Sequence, residues 1–406
     1  MRMSDRVLTS HAGSLPRPEN LVELNHKRGL GELEDEAGYQ EKLAQATVDV
    51  VAKQNEIGID IVNDGEYGHS MGARYDYGTW WTYVFPRLGG LEIVEDLMLD
   101  IPQAKAKPGE ISLVSFAERR DWNMFGEAYG DPSSGAALPN PPTAAPVARG
   151  PITYIGQDEI ARDIRNMKAA MEAAGVEDGF MNAVAPGSGA RFGNEYYESD
   201  VELMYACADA LREEYQAIID AGLMLQLDDP GIAENWDQIN PAPSVEDYRR
   251  FTMVRVEALN HAIRDLPTER IRFHLCWGSW HGPHVTDIPM KDIVDCMLAI
   301  NAGSYSFEAA NVRHEHEWKL WRDIKLPEGK KILPGIVSHS TNVVEHPELV
   351  AERIMRFAEG VGAENVVAST DCGLGGRVHP QIAWAKLESL VEGARLASES
   401  RVHAAV

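Results

Sequence analysis

The sequence is short of three things: cysteine, basic charge and long apolar runs. Four cysteines occur in 406 residues, Cys207, Cys276, Cys296 and Cys372. Four thiols in a chain of this length do not make a disulfide framework. Acidic residues outnumber basic ones by 63 to 38, a formal charge of −25. That deficit of Lys and Arg excludes a nucleic-acid partner, which needs a basic face, and disfavours an anionic membrane surface. No apolar run approaches the ~20 residues of a membrane span. The opening stretch MRMSDRVLTSHAG lacks the apolar segment of a secretory signal. A cytoplasmic enzyme is therefore expected. There is no internal repeat, and no G-x-G-x-x-G follows the first apolar run, which argues against a dinucleotide-binding open sheet.

What is present is an alternation of short apolar runs with helical spacing. The runs 6–9, 59–63, 179–184, 223–227, 271–275, 304–308, 332–337 and 365–369 read as eight strands. Helical periodicity is visible over 37–57, 157–175, 199–222, 245–264, 290–301, 315–322, 346–361 and 380–396. Strands alternating with helices imply parallel pairing, and eight such units predict an α/β fold of the (β/α)8 TIM-barrel type. Residues 1–406 are read as one barrel domain with a long insertion, about 67–156, after strand 2. Within it, 75–85 is aromatic and 126–151 is rich in Pro, Gly and Ala. Such a segment is expected to hold a hairpin or short helices and to act as lid, binding loop or subunit contact. It is consistent with a homodimer.

The unusual polar residues fall at the C-terminal ends of the predicted strands, the end that carries the site in barrel enzymes. His274 and Cys276 lie two residues apart on one strand, so their side chains project to the same side. An imidazole and a thiolate are half of a zinc site. Cys372 and Glu308, from other strand ends, complete a tetrahedral N, S, S, O set that suits Zn²⁺ and disfavours magnesium or calcium. The His-x-Cys spacing alone also fits two core residues; the convergence of strand ends is what favours a metal. Cys207 and Cys296 lie in helical patterns and are read as packing. His314 and His316 suit the opening of a solvated helix better than a second metal site.

The motifs TSHAGSLPRP (9–18), NDGEYG (63–68), LQLDDP (225–230), FHLCWG (273–278), FEAAN (307–311), VSHSTNVVEHPELV (337–350) and STDCGLGGR (369–377) together give the chain a further signature. It resembles the catalytic barrel of the cobalamin-independent methionine synthase family over about residues 5–395. The resemblance implies zinc at His274, Cys276, Glu308 and Cys372, homocysteine held by Ser14, Glu66 and Asp228, and a catalytic His339. It implies a zinc-dependent transferase that activates a small-molecule thiol as the thiolate and alkylates it from a methyl or other alkyl donor. Asp229 stands where the family usually has Glu. The stretch NAVAPGSGARFGNEYY (182–197) lacks the tryptophan expected to stack on folate, so the donor is left open. The related epoxyalkane:coenzyme M transferases give the alternative, addition of a thiol to an epoxide. A sulfonate would need a cation, for which Arg17, Arg74, Arg191 and Arg377 are candidates.

Overall fold

A computed structural model describes residues 6–70, 79–95, 111–136 and 144–404. Eight parallel strands form one sheet: β1 (Leu8–Thr9), β2 (Val62–Asn63), β3 (Gly179–Val184), β4 (Met224–Asp228), β5 (Ile271–Leu275), β6 (Ser304–Phe307), β7 (Lys331–Val337) and β8 (Val367–Thr370). They are ordered β1-β8-β7-β6-β5-β4-β3-β2. The amide of Ile61 donates to the Thr9 carbonyl at 3.1 Å, which brings the two ends of the sheet together. The expected TIM-barrel architecture is the observed one.

The helices outside the barrel follow from local chemistry. Glu36–Ile57 begins at Asp35, whose carboxylate accepts from the Gly38 amide at 2.8 Å, and Gln157–Ala174 ends at Gly175 in the left-handed conformation. Two predictions differ in detail. Glu19–Leu30 is a helix with few buried residues, so its apolar period is too weak to read. The long helix expected over 290–301 is a 3-10 turn, Met290–Asp292, followed by Val294–Leu298.

Inside the barrel, the period of two sorts side chains into layers. Ile61, Phe180, Leu333 and Val367 form an apolar plug. The Arg272 guanidinium sits 3.8 Å over the Phe180 ring. Asn182 and Gln226 follow two residues further along their strands, and Asp228 and His274 lie at the strand ends. Leu225, Leu227, Phe273 and Leu275 alternate with these and belong to the main core between sheet and helices.

The insertion contributes a short helix, Thr79–Thr82, and a strand, Leu88–Glu95, antiparallel to Ala144–Tyr154, with Gly193–Asn194 pairing on the other side. Parts of its aromatic and Pro-rich segments, and Arg74, lie outside the described residues. Buried Arg87 fastens it to the barrel helices through Asp163 at 2.7 Å and Glu214 at 3.1 Å. Its second half covers the loops after β4 and β5. Arg119 bonds Glu234, the Trp280 indole donates to Tyr129 at 2.7 Å, and Asp121 accepts from the Val285 amide at 3.1 Å.

Candidate metal centre

At the C-terminal end of β5, the donor atoms of His274, Cys276 and Cys372 lie within 4.8 Å of one another. His274 is buried and faces Ser306 across the β5–β6 register; its Nδ1 is 2.9 Å from the Ser306 hydroxyl. Its Nε2 is buried and has no hydrogen-bond partner among the described residues. A buried ring nitrogen left without a partner costs free energy unless something fills its place. Cys276 and Cys372 are both free thiols.

The electrostatics of the trio are coupled. The Cys372 thiol is held well below its usual range by the Cys276 thiol and by His274, against the effect of burial. Cys276 is pushed well up by Cys372 and by burial. Burial alone would lower His274, but the Cys372 sulfur beside it and nearby Asp228 raise it. Two sulfurs and an imidazole gathered this closely are the donor types that take a soft divalent cation.

A second cluster adjoins the first. Glu308, His339 and Asp371 bring their donor atoms within 4.8 Å of one another. Sequence spacing placed Glu308 with the thiols; in the structure it lies in this adjoining cluster and both of its oxygens accept hydrogen bonds. Oε1 accepts from the Trp277 amide at 2.9 Å and the Ser279 hydroxyl at 3.3 Å, and Oε2 from the Asn311 amide at 2.7 Å. Burial and neighbouring Asp371 push Glu308 up to about 7. Asp371 accepts from the amides of Ala309 and Ala310, each at 2.7 Å, and burial raises it. His339 is buried with Nδ1 unpartnered among the described residues, and burial lowers it to about 3.

Glu66 and Asp228 lie near enough to Cys372 to be raised by it, and Ser14 packs against Gly373 just after it. Asp228 accepts from Asn182 at 2.9 Å and Gln226 at 2.8 Å, and burial pushes it up to about 6. Glu66 is buried, has φ +60°, and is raised well above the carboxylate range by burial and by Asp228. The Ser14 carbonyl accepts from the Leu374 and Gly375 amides at 2.9 and 3.0 Å, which ties the β1 loop to the chain just after Cys372.

Sequence reasoning missed several residues of this site. Ser306 and Asn182 are inward-facing strand residues with no motif of their own, visible only by period two. Asn311 was inside a quoted motif, but its bonds to Glu308 and Asp371 need the fold to be seen. His314 is a correction. It does not open a solvated face but is buried between Asp287 at 3.1 Å and Glu317 at 2.9 Å, stacked on Trp277; only His316 is exposed. The two carboxylates stabilise its charge more than solvent would.

Comparison with known proteins bears on both fold and site. Residues 144–396 match the family described as cobalamin-independent synthase, catalytic domain. A methionine synthase of Thermococcus kodakarensis is 23% identical over 392 residues, covering 96% of this chain and 92% of that one. An uncharacterised Bacillus subtilis protein is 24% identical, with 94% and 92% covered. Among solved structures, a B12-independent methionine synthase from a Shewanella species, in complex with selenomethionine, superimposes with a TM-score of 0.68 at 19% identity, covering 98% of this chain and 99% of that one. No helix among the described residues is long and apolar enough to cross a membrane.

Proposed function

The chain belongs to the cobalamin-independent synthase catalytic-domain family, and on that premise we propose that it is a zinc-dependent methyltransferase of the methionine-synthase type, with homocysteine as acceptor. The observation that carries the reading is the convergence of one unpartnered imidazole nitrogen and two thiols at the barrel mouth. This donor set fits zinc: soft sulfur and borderline nitrogen. We assign His274, Cys276 and Cys372 as its holders. Glu308 is proposed as the fourth donor: it lies in the adjoining cluster, held beside Cys276 by the Trp277 amide, and its Oε2 accepts one hydrogen bond, from Asn311, so a lone pair is left there for the metal. Bound there, zinc supplies the charge that keeps a thiol ionised at neutral pH, where a free thiol of pKa about 8.5 is only a few per cent thiolate.

The chain's own residues do the rest. Asp228 and Glu66 pair with the substrate ammonium, and Ser14 binds beside them. Their present elevation by burial and mutual repulsion is relieved when a cation enters between them. His339, whose Nδ1 is unpartnered among the described residues, relays a proton: it takes one at Nδ1, on the side of Glu308 and Asp371, as its other ring nitrogen gives one to the group that leaves the methyl carrier. A folate or another methyl carrier is the donor. Residues 1–406 act as one catalytic barrel, and the insertion shields its mouth.

The coenzyme M reading keeps one observation in its favour: Arg377 stands close enough to His281 and His339 to lower both. The other two described candidates are engaged, Arg17 with the carbonyls of Glu66 and His69, Arg191 with Glu234 and Gln238. Metal analysis tests the site assignment. Wild type is expected to hold one zinc per chain and Cys372→Ser far less, a loss of roughly 100-fold or more in affinity. Full zinc occupancy in the variant would refute the ligand set.

A further inference from the structure

Two neutral amides lie directly under the proposed ammonium site. Asn182 on β3 and Gln226 on β4 are register partners, both buried. The Asn182 amide nitrogen is 2.9 Å from Asp228 Oδ2 and 3.0 Å from the Ala12 carbonyl. The Gln226 amide nitrogen is 2.8 Å from Asp228 Oδ1 and 2.7 Å from the same carbonyl. Each NH₂ group has two hydrogens, and each spends one on the carboxylate and one on the loop. Asp228 thereby receives one hydrogen bond on each oxygen, and a lone pair on each remains for a ligand.

The network reaches the other two substrate residues. Asn182 Oδ1 accepts from Asn63 at 2.9 Å, which fixes which way its amide points. Asn63 Oδ1 accepts from the Gly65 amide at 2.6 Å, next to Glu66. The Ala12 carbonyl is two residues from Ser14. Between them Gly13 has φ +131°, and a Cβ there would collide with Asn182 and Glu66. Only glycine lets the β1 loop lie this close to the amides.

We propose that Asn182 and Gln226 are positioning residues that preorganise the ammonium site and make the protein select an α-amino thiol over the same thiol without its amino group. This rests on the reading of Asp228 as the ammonium partner. A carboxylate fixed by two neutral donors keeps its charge and its direction, so the cation finds it already aimed. Without the amides, Asp228 would swing and the loops carrying Ser14 and Glu66 would lose their common anchor.

The test is calorimetric titration of zinc-loaded protein with homocysteine and with 4-mercaptobutanoate, which lacks only the amino group. Wild type is expected to prefer homocysteine. Gln226→Met and Asn182→Leu are each expected to reduce that preference about tenfold while binding of 4-mercaptobutanoate holds. A role in general packing would weaken both thiols alike, and that result, or an unchanged ratio, overturns the proposal. If wild type itself shows no preference, the assignment of Asp228 to an ammonium group fails first, and this proposal with it. Should either variant fail to fold by circular dichroism, Gln226→Asn replaces it. Its shortened amide no longer reaches Asp228 and Ala12 together, and the same loss of preference is expected.

Discussion

Two histidine clusters lie side by side at the mouth of this barrel and differ in what their nitrogens have left to give. His284 and His314 form a chain with acids: Trp280 carbonyl, His284, Asp287, His314, Glu317, at 2.9, 3.0, 3.1 and 2.9 Å. Every ring nitrogen in it faces an oxygen acceptor, so both rings are held as imidazolium and nothing remains for a metal. His274 spends Nδ1 on Ser306 and keeps Nε2 free beside two thiols. Histidine spacing alone does not mark a metal site. On the proposed reading, a ring nitrogen unpartnered among the described residues beside two thiols does, and the first cluster serves to brace the loop after β5 that carries Trp277 and Trp280.

The comparison can be broken by exchanging the consequences. The loss of zinc in Cys372→Ser is the largest expected effect, and the braced cluster should show nothing of the kind. His314→Gln is expected to leave zinc content unchanged and to cost about 3 kcal/mol of stability, because it strips the cation from mostly buried Glu317 and leaves Asp287 with His284 alone. Chemical denaturation measures this, and zinc loss in the variant would erase the distinction. The contribution also has a sign with pH. Burial would lower His314, but Asp287 and Glu317 raise it from 6.5 to about 9. A group raised on folding stabilises fully below its unfolded pKa, so this part of the stability is present below pH 6.5 and fades as pH climbs through about 9. In His314→Gln that fall should be absent. The smallest effect sharpens the metal side. Ser306→Ala removes the bond that orients His274 and should weaken zinc about tenfold, read by competition with a chelator, with no change in fold.

The barrel was legible because its signals are local. Apolar runs of four to six residues, mostly followed by a helical period, survive in the sequence whatever lies between them. The convergence of His274, Cys276 and Cys372 was legible because His274 and Cys276 share a strand and Cys372 follows another, so period and strand order suffice. Glu308 was placed with them; that its carboxylate also accepts from Trp277, Ser279 and Asn311 was not legible, because those contacts depend on how two loops meet. His314 looked solvated because its neighbours Arg313 and His316 are charged or polar; its partner Asp287 is 27 positions away. The amides under Asp228 were hidden for the opposite reason. Asn182 and Gln226 sit at positions where a barrel interior is ordinarily filled by aliphatic side chains, and a single polar residue within a strand carries no mark of the partner it meets across the sheet.

The central claim is that the trio at β5 and β8 is a metal site built to admit a substrate thiol. Sulfur-sensitive X-ray absorption at the zinc edge, on the zinc-loaded protein with and without homocysteine, tests it most directly. The account predicts two sulfur neighbours without the thiol, from Cys276 and Cys372, and three with it. A sulfur count that stays at two on saturation with homocysteine would contradict it.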